Sequence, residues 1–259
     1  MKWTAPKIKA LKGAQKIAAL TAYDALSGRY ADEAGIPLVL VGDSLANTVL
    51  GYETTLPVTM DEMVHHTAAV SRGVNEGLVV GDMPFMSYQG AIDHAIENAG
   101  RFIKEAGADA VKIEGGVMRA ELVEKLVANG IPVLGHVGLT PQSVKEFGGF
   151  KMQGKTDEAA RKLMDDAMAL EQAGVFALVL ECVPEALAQK ITAALKIPTI
   201  GIGAGPHCDG QVLVFTDVLG MGQGHVPRFV KKFADLKPQI QQALSAYKTE
   251  VEQGVFPER

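Results

Sequence analysis

The chain has 259 residues, of which 47% are hydrophobic and 21% charged, and its formal net charge is −5. This composition is typical of a globular protein, and the length suits one large domain or two small ones. The basic excess that attracts nucleic acid backbones is missing, so nucleic acid is not expected as a partner.

The first residues of the chain bear on its cellular location, and its cysteines bear on its redox state. The first residues carry charges where a signal peptide needs an apolar core, and no apolar run approaches the roughly 18 residues of a membrane span. The two cysteines, Cys182 and Cys208, form neither a disulfide framework nor a CxxC metal pair. We therefore expect a cytoplasmic protein with reduced thiols and no membrane partner.

Short apolar runs bounded by Gly, Pro or acidic residues predict eight strands. They lie at residues 17–24, 37–44, 78–85, 109–115, 132–138, 176–183, 198–205 and 211–218. Helical patterns separate most of them, and Thr59 with Glu62 predicts a capping box that opens one helix. The runs are apolar throughout rather than alternating, which favours parallel strands covered by helices.

This succession predicts an α/β fold. Eight βα units in about 250 residues are the number and length typical of a TIM (β/α)8 barrel. The stretch between the seventh and eighth strands is too short for a normal crossover helix, so a doubly wound sheet remains the alternative. No linker or change of composition divides the chain, which predicts a single domain over residues 1–259 with a closing helix from about Phe229 onward.

Polar residues end most of the predicted strands. They are Asp24, Asp43 with Ser44, Asp82, Lys112 with Glu114, His136, Glu181 and Asp217. In a TIM barrel the active site lies at the C-terminal ends of the strands, so these side chains should converge on one rim. A single acid there is as readily explained by a helix N-cap, and we assign Asp24 and Asp217 to structural roles.

Such a cluster of carboxylates favours a divalent cation. Oxygen ligands without a Cys or His pair favour Mg²⁺ over zinc, and Asp43 and Asp82 are the natural first ligands. Lys112 and Glu114 are two residues apart and share a face of one strand, so Glu114 can approach the metal while Lys112 faces a bound anion. A 2-oxo acid would chelate the ion, and Glu181, across the barrel, is the candidate base for a proton next to the ketone.

Six stretches of the sequence are long enough to be specific for a family. They are VGDSLANTVLGYETTLPVTMDEMVHHTAAVSRG (41–73), VVGDMPFMSY (79–88), AVKIEGG (110–116), VLGHVGLTPQS (133–143), LVLECVP (178–184) and IPTIGIGAGPHCDGQVLVFTDVLG (197–220). Together they resemble the ketopantoate hydroxymethyltransferase (3-methyl-2-oxobutanoate hydroxymethyltransferase) family. The match runs in register from about residue 4 to residue 235.

The resemblance implies a (β/α)8 barrel that depends on Mg²⁺ and uses small-molecule substrates. The reaction it implies is transfer of a hydroxymethyl group from 5,10-methylenetetrahydrofolate to 3-methyl-2-oxobutanoate, which gives 2-dehydropantoate on the route to pantothenate and coenzyme A. It also implies a homo-oligomer, often a decamer.

The same resemblance assigns the site residues. The metal aspartates of the family fall on Asp43 and Asp82, and its metal-associated glutamate falls on Glu114. Its substrate contacts fall on Asp43, Ser44, Asp82 and Lys112. Its proton acceptor falls on Glu181.

Two other functions compete with this interpretation. The first is another Mg²⁺-dependent enzyme of 2-oxo acids, of the phosphoenolpyruvate mutase or isocitrate lyase type, which would need no folate; those enzymes usually carry a KKCGH-type motif that this sequence lacks. The second is a binding or scaffold protein that has kept the barrel and lost activity. The joint presence of Asp43, Asp82, Lys112, Glu114 and Glu181 argues against this alternative.

Three further predictions concern the surroundings of the site. His136, at a strand end, is either a proton relay or substrate ligand, or a structural residue. Residues 45–58 form either a lid or a plain surface loop. Cys182 follows Glu181 and should face the helices as a small buried residue.

Overall fold

The computed structural model describes residues 2–149, 151–222 and 227–257. Each of the eight predicted strand runs contains or overlaps one observed strand. The strands are β1 (Ile17–Thr21), β2 (Leu38–Val41), β3 (Leu78–Asp82), β4 (Ala110–Glu114), β5 (Val133–Gly138), β6 (Ala177–Glu181), β7 (Thr199–Ile202) and β8 (Gly210–Leu213).

The strands form one closed barrel in chain order. Every neighbouring pair is parallel, and β8 closes the barrel by pairing with β1. The predicted TIM barrel is therefore confirmed, and the doubly wound sheet is wrong.

Helices connect most of the strands. Within residues 1–213 they are α1 (Ala5–Lys9), α2 (Ala25–Glu33), α3 (Leu45–Thr48), α4 (Met60–Gly73), α5 (Ile92–Lys104), α6 (Ala120–Ala128), α7 (Val144–Phe147), α8 (Asp157–Ala173) and α9 (Glu185–Ala194). The predicted capping box of α4 is confirmed: the main-chain N–H of Thr59 donates to Oε2 of Glu62 at 2.7 Å, and the N–H of Glu62 donates to Oγ1 of Thr59 at 3.2 Å.

The connection from β7 to β8 is the place where the barrel departs from regular βα units. Residues 203–209 contain no helix. The carboxylate of Asp209 accepts hydrogen bonds from the main-chain N–H of Thr199 at 2.9 Å and from Nζ of Lys12 at 2.7 Å. The bond to Thr199 holds Asp209, the residue before β8, next to the first residue of β7. The short connection therefore brings the chain back to the start of β7, and β8 can pair with it in parallel.

Apolar side chains at every second strand position fill the barrel interior below the C-terminal ends of the strands. They include Ile17, Ala19, Leu38, Leu40, Leu78, Val80, Ala110, Leu134, Ala177, Val179, Ile200 and Val212, which form one buried cluster. Ile8 of α1 belongs to the same cluster and has no exposed surface. Because strand side chains alternate between the two faces, the next residues in this row also point inward.

By its internal contacts the chain falls into two compact units, Met1–Leu213 and Val214–Arg259. The second unit contains α10 (Phe215–Val218) and α11 (Leu236–Glu252), so the predicted closing helix is present but begins after Phe229. Residues 258–259 lie outside the described residues. Single-domain organisation over residues 1–259 stays a prediction.

Among the described residues, none of the helices combines the length and apolarity that a membrane crossing needs.

Candidate active site

Polar side chains replace the apolar row at the C-terminal ends of four neighbouring strands. Two residues beyond the apolar positions come Asp82 on β3, Lys112 on β4, His136 on β5 and Glu181 on β6. Glu114 takes the following inward position on β4. The alternation of the strands therefore brings together the residues that the sequence predicted to share a rim.

Asp43 joins this group from the turn after β2. Its main-chain N–H donates to Oδ2 of Asp82 at 3.0 Å, and both residues are buried. Burial raises the pKa of Asp43 well above its usual range, and repulsion from Asp82 and Glu114 adds to the effect. Burial also raises the pKa of Asp82, although Lys112 opposes the rise. Both shifts have causes that a cation between the two aspartates would relieve.

Lys112 supplies positive charge to this cluster. Its Nζ lies 2.6 Å from Oδ1 of Asp82 and 3.3 Å from Oε1 of Glu114. Burial lowers the pKa of Lys112, but Asp82, Glu114 and Asp43 outweigh burial and raise it above the ordinary lysine value. The ammonium group is therefore charged at neutral pH.

Both carboxylate oxygens of Glu114 are engaged. Oε1 faces Lys112 and lies 3.4 Å from Nδ1 of His136, and Oε2 accepts the main-chain N–H of Gln142 at 3.1 Å. Burial opposes ionisation of Glu114, yet Lys112 and His136 lower its pKa below the usual value. The predicted place of Glu114 beside a metal stays a prediction.

His136 lies between two carboxylates. Its Nε2 is 3.2 Å from Oε2 of Glu181, but neither ring N–H is aligned for a hydrogen bond to Glu181 or Glu114, so these contacts are electrostatic. Burial lowers the pKa of His136, but Glu114 and Glu181 raise it to about 9. His136 is thus a second cation of the site, and its side chain is more deeply buried than that of Glu181.

Ser44 is backed by two hydroxyl groups. Its Oγ lies 2.8 Å from the phenol oxygen of Tyr23, and Oγ1 of Thr21 donates to the same phenol at 2.9 Å. Either hydroxyl of the Tyr23–Ser44 pair can be the donor, and the contact holds Oγ of Ser44 in place. This arrangement suits a hydroxyl that donates to an anionic substrate.

Three of these neighbours were not among the residues predicted from the sequence: Tyr23, Tyr88 and Gln142. Gln142 donates from Nε2 to Oδ2 of Asp43 at 3.1 Å and accepts at Oε1 from the Tyr88 hydroxyl at 2.7 Å. All three lie in or next to loops at the rim, where a polar residue is ordinarily exposed. A search for polar residues just after the strand ends would have included Tyr23 and Gln142 as candidates, but not their contacts, and Tyr88 lies farther along its loop.

The site fits a hard divalent cation held by few protein ligands. Four carboxylates share the site with the cations Lys112 and His136. Within the described ranges, no three His, Cys, Asp or Glu side chains are already grouped to hold a metal ion. Mg²⁺ is commonly bound through one or two carboxylates together with water and substrate oxygens, which matches the pair Asp43 and Asp82.

The structure tests the predictions for three neighbouring residues. Asp24 is the N-cap of α2, where its Oδ1 accepts the N–H of Ser27 at 2.7 Å, so its structural role is confirmed. Asp217 lies in α10 and not at a strand end. The prediction of a buried Cys182 is wrong, because β6 ends at Glu181 and Cys182 takes a φ of +48° that leaves it partly exposed.

Residues 45–58, predicted as either a lid or a surface loop, form a hydrogen bond to the following helix, α4. The hydroxyl of Tyr52 donates to Oε1 of Glu62 at 3.1 Å, and Nδ2 of Asn47 donates to the Tyr52 carbonyl at 2.8 Å. A role of residues 45–58 as a lid stays a prediction.

Comparison with known proteins gives one family over nearly the whole chain. A family model described as ketopantoate hydroxymethyltransferase matches residues 2–259. The 3-methyl-2-oxobutanoate hydroxymethyltransferase of Syntrophomonas wolfei subsp. wolfei is 58% identical over 246 residues, which cover 95% of this chain and 89% of that relative.

Solved structures share the fold at much lower identity. A 2,3-dimethylmalate lyase, described as a phosphoenolpyruvate mutase/isocitrate lyase superfamily member, aligns with a TM-score of 0.64 and 18% identity over 100% of this chain and 88% of its own. A phosphonopyruvate hydrolase in complex with oxalate and Mg²⁺ aligns with a TM-score of 0.64 and 12% identity over 97% and 88%. At these identities the likeness concerns the barrel alone.

Proposed function

Because the chain belongs to the ketopantoate hydroxymethyltransferase family, we propose that it transfers a hydroxymethyl group from 5,10-methylenetetrahydrofolate to 3-methyl-2-oxobutanoate. The product is 2-dehydropantoate, a precursor of pantothenate. The observation that carries the proposal is the buried cluster of Asp43, Asp82 and Lys112 at the C-terminal end of the barrel. Asp82 connects its members, because Oδ1 lies 2.6 Å from Nζ of Lys112 and Oδ2 accepts the main-chain N–H of Asp43 at 3.0 Å.

Asp43 and Asp82 would hold Mg²⁺, with Glu114 behind them. When bound, the ion supplies positive charge next to the ketone of a 2-oxo acid and so makes a proton on C3 more acidic. The solved phosphonopyruvate hydrolase that contains oxalate and Mg²⁺ supports such a site in this kind of barrel.

The protein's own residues bind the substrate and move its proton. Lys112 and the hydroxyl of Ser44 fix the carboxylate and ketone oxygens, since both can donate hydrogen bonds to an anion. Glu181 is the less buried of the two carboxylates beside His136, and it accepts the C3 proton. His136 lies 3.2 Å from Glu181 and holds its carboxylate toward the interior.

The carbon–carbon bond forms after the proton has left C3. One of the two bonds from the methylene carbon to the folate nitrogens breaks to give an iminium ion, and the electron pair at C3 forms the carbon–carbon bond to that methylene carbon. Water then replaces the second folate nitrogen on the same carbon and becomes its hydroxyl group. The proton taken from C3 and one proton of this water end on the two nitrogens of the departing tetrahydrofolate. Lys112 contributes electrostatic stabilisation of the negative charge that develops on the substrate oxygen, and this kind of preorganised charge is usually the largest single contribution to catalysis.

A phosphoenolpyruvate mutase or isocitrate lyase type of reaction is the second candidate, and the shared barrel is the observation that favours it. The sequence lacks a KKCGH motif, which argues against this alternative. The identity of 58% to a hydroxymethyltransferase argues for the folate-dependent reaction.

The proposal extends to organisation and location. We propose that the chain works as a single catalytic domain, that it assembles as a homo-oligomer, namely the decamer that the family resemblance implies, and that it acts in the cytoplasm. Size-exclusion chromatography with light scattering tests the assembly.

The experiment that tests the function is proton exchange at C3 of 3-methyl-2-oxobutanoate, followed by NMR in D₂O. We expect exchange with Mg²⁺ and none after EDTA, and we expect 2-dehydropantoate once 5,10-methylenetetrahydrofolate is added. Exchange without formation of that product would favour the second candidate. Absence of exchange both before and after tetrahydrofolate is added would refute the proposed function.

A further inference from the structure

Gln142 makes a complete set of hydrogen bonds inside the acidic cluster. It belongs to the short 3-10 turn Pro141–Ser143 after β5 and is only 4% exposed. Nε2 donates to Oδ2 of Asp43 at 3.1 Å and to the carbonyl of Met83 at 2.9 Å. Oε1 accepts from the Tyr88 hydroxyl at 2.7 Å and from Nε2 of Gln89 at 3.0 Å. Both donors and both acceptor positions of the amide are therefore used.

The orientation of this amide follows from its partners. A main-chain carbonyl and a carboxylate can only accept, so the NH₂ group must face Met83 and Asp43. The hydroxyl of Tyr88 accepts the main-chain N–H of Glu114 at 3.1 Å, which directs its own proton to Oε1 of Gln142. Tyr88 thus fixes the direction in which Gln142 donates.

Asp43 depends on this donor. In the part of the chain that the structure describes, no Lys, Arg or His forms an ion pair with Asp43, whereas Lys112 pairs with Asp82 and Glu114. Gln142 supplies the side-chain hydrogen bond to Oδ2, and no described residue donates a hydrogen bond to Oδ1. A neutral amide holds one oxygen in place without adding a charge that would compete with a cation at the other.

Gln142 also connects Asp43 to the opposite side of the acidic cluster. Its main-chain N–H donates to Oε2 of Glu114 at 3.1 Å. One residue therefore contacts two carboxylates from different parts of the barrel, Asp43 after β2 and Glu114 on β4. Such partners of metal ligands orient the ligand and change metal affinity without touching the metal.

We propose that Gln142 is a positioning residue that aims Oδ1 of Asp43 at a divalent cation, and that Tyr88 orients Gln142 for this task. The inference rests on the proposed function for the presence of the cation. It adds two residues that touch neither the cation nor the reacting atoms.

The test is Mn²⁺ binding to the full-length protein, measured from the electron paramagnetic resonance signal of free Mn²⁺ after EDTA treatment and dialysis. We expect Gln142→Met, which keeps length and neutrality but removes the donors, to raise the Mn²⁺ Kd about 10- to 100-fold. Tyr88→Phe leaves the amide in place but frees its orientation, and we expect a rise of about five-fold. Gln89→Met is the matched control, because Tyr88 still holds Oε1, and its Kd should stay within about two-fold of wild type.

A second readout separates positioning from a general loss of structure. Raising Mn²⁺ above the new Kd should restore C3 proton exchange in Gln142→Met, since only occupancy of the site is impaired. Wild-type Mn²⁺ affinity in both Gln142→Met and Tyr88→Phe would overturn the inference and leave the proposed function intact. Weak binding that excess Mn²⁺ does not rescue would also overturn it. If the Mn²⁺ affinities of the variants change as expected but wild type shows no C3 exchange, the proposed function fails while the role of Gln142 in metal binding stands.

Discussion

The ammonium group of Lys112 lies 2.6 Å from Oδ1 of Asp82, and both side chains are almost completely buried. The same nitrogen is 3.3 Å from Oε1 of Glu114. Each of these charges is removed from water and is stabilised by the other, so the loss of one partner leaves the remaining charge without compensation.

Replacement of Lys112 by Met should therefore destabilise the protein strongly. Loss of one member of a buried ion pair typically costs about 3–5 kcal/mol. Urea unfolding in EDTA, followed by circular dichroism, measures the effect. Lys125→Met on α6 is the control, because Lys125 is exposed and its loss should change stability by less than about 0.5 kcal/mol. Equal midpoints for the two variants would contradict the prediction.

The barrel could be predicted from the sequence because its strands are short apolar runs with clear boundaries. Leu78 to Asp82 is such a run, and its end is marked by the first polar residue. The eighth strand was placed less well, because VLVFTDV continues the apolar pattern into α10 and periodicity alone does not separate a buried strand from a short helix.

The cluster could be predicted where its residues end a strand or directly follow one. Asp82, Lys112 and Glu181 continue the inward row of a strand, and Asp43 lies two residues after β2. Gln142 and Tyr88 reach the cluster from loops, and their position depends on hydrogen bonds between segments distant in the chain. No spacing in the sequence encodes such contacts.

Glu181→Gln should abolish C3 proton exchange without preventing binding. The amide keeps the shape of the side chain but cannot accept the proton, and a positioned general base typically contributes about 10²- to 10⁴-fold. NMR in D₂O measures exchange, and the shift of the melting temperature by Mg²⁺ with 3-methyl-2-oxobutanoate measures binding. Glu185→Gln is the control, since Glu185 is exposed and pairs with His207 at 2.9 Å. Exchange at the wild-type rate in Glu181→Gln would remove it from this role.

Tyr23→Phe should weaken binding of the 2-oxo acid. The variant removes the phenol hydroxyl that lies 2.8 Å from Oγ of Ser44, so the serine hydroxyl loses a hydrogen-bond partner that holds it in place. A lost hydrogen bond of this kind predicts a rise in KM of about 2- to 10-fold, with Mn²⁺ affinity unchanged. Steady-state kinetics and Mn²⁺ titration test it, with Tyr30→Phe on the exposed side of α2 as control. A lower melting temperature with an unchanged KM would show that Tyr23 has a packing role only.

The charge of His136 should make stability depend on pH in a defined direction. Burial lowers the pKa of His136, but Glu114 and Glu181 raise it to about 9, above the unfolded value of 6.5. A raised folded-state pKa stabilises the protein fully below pH 6.5, and this contribution is lost as the pH rises through about 9. In EDTA, the difference in free energy of unfolding between wild type and His136→Gln should therefore shrink from pH 6 to pH 9.5. A difference that stays constant or grows over this range would contradict the assignment of charge.

Gly138→Ala should disturb Glu181 through the backbone. Gly138 ends β5 with a φ of +97°, and a Cβ there would lie 2.3 Å from the carbonyl oxygen of Glu181, its partner on β6. The strained backbone alone costs about 1–3 kcal/mol, and the collision must in addition move the strand end that carries the proposed base. Gly130→Ala isolates the first effect, because its φ is +79° and nothing lies within 4 Å of the added carbon. We expect both variants to melt earlier, but only Gly138→Ala to slow C3 proton exchange at a temperature where both are folded. Equal exchange rates would mean that the main chain of β6 shifts without moving the carboxylate of Glu181.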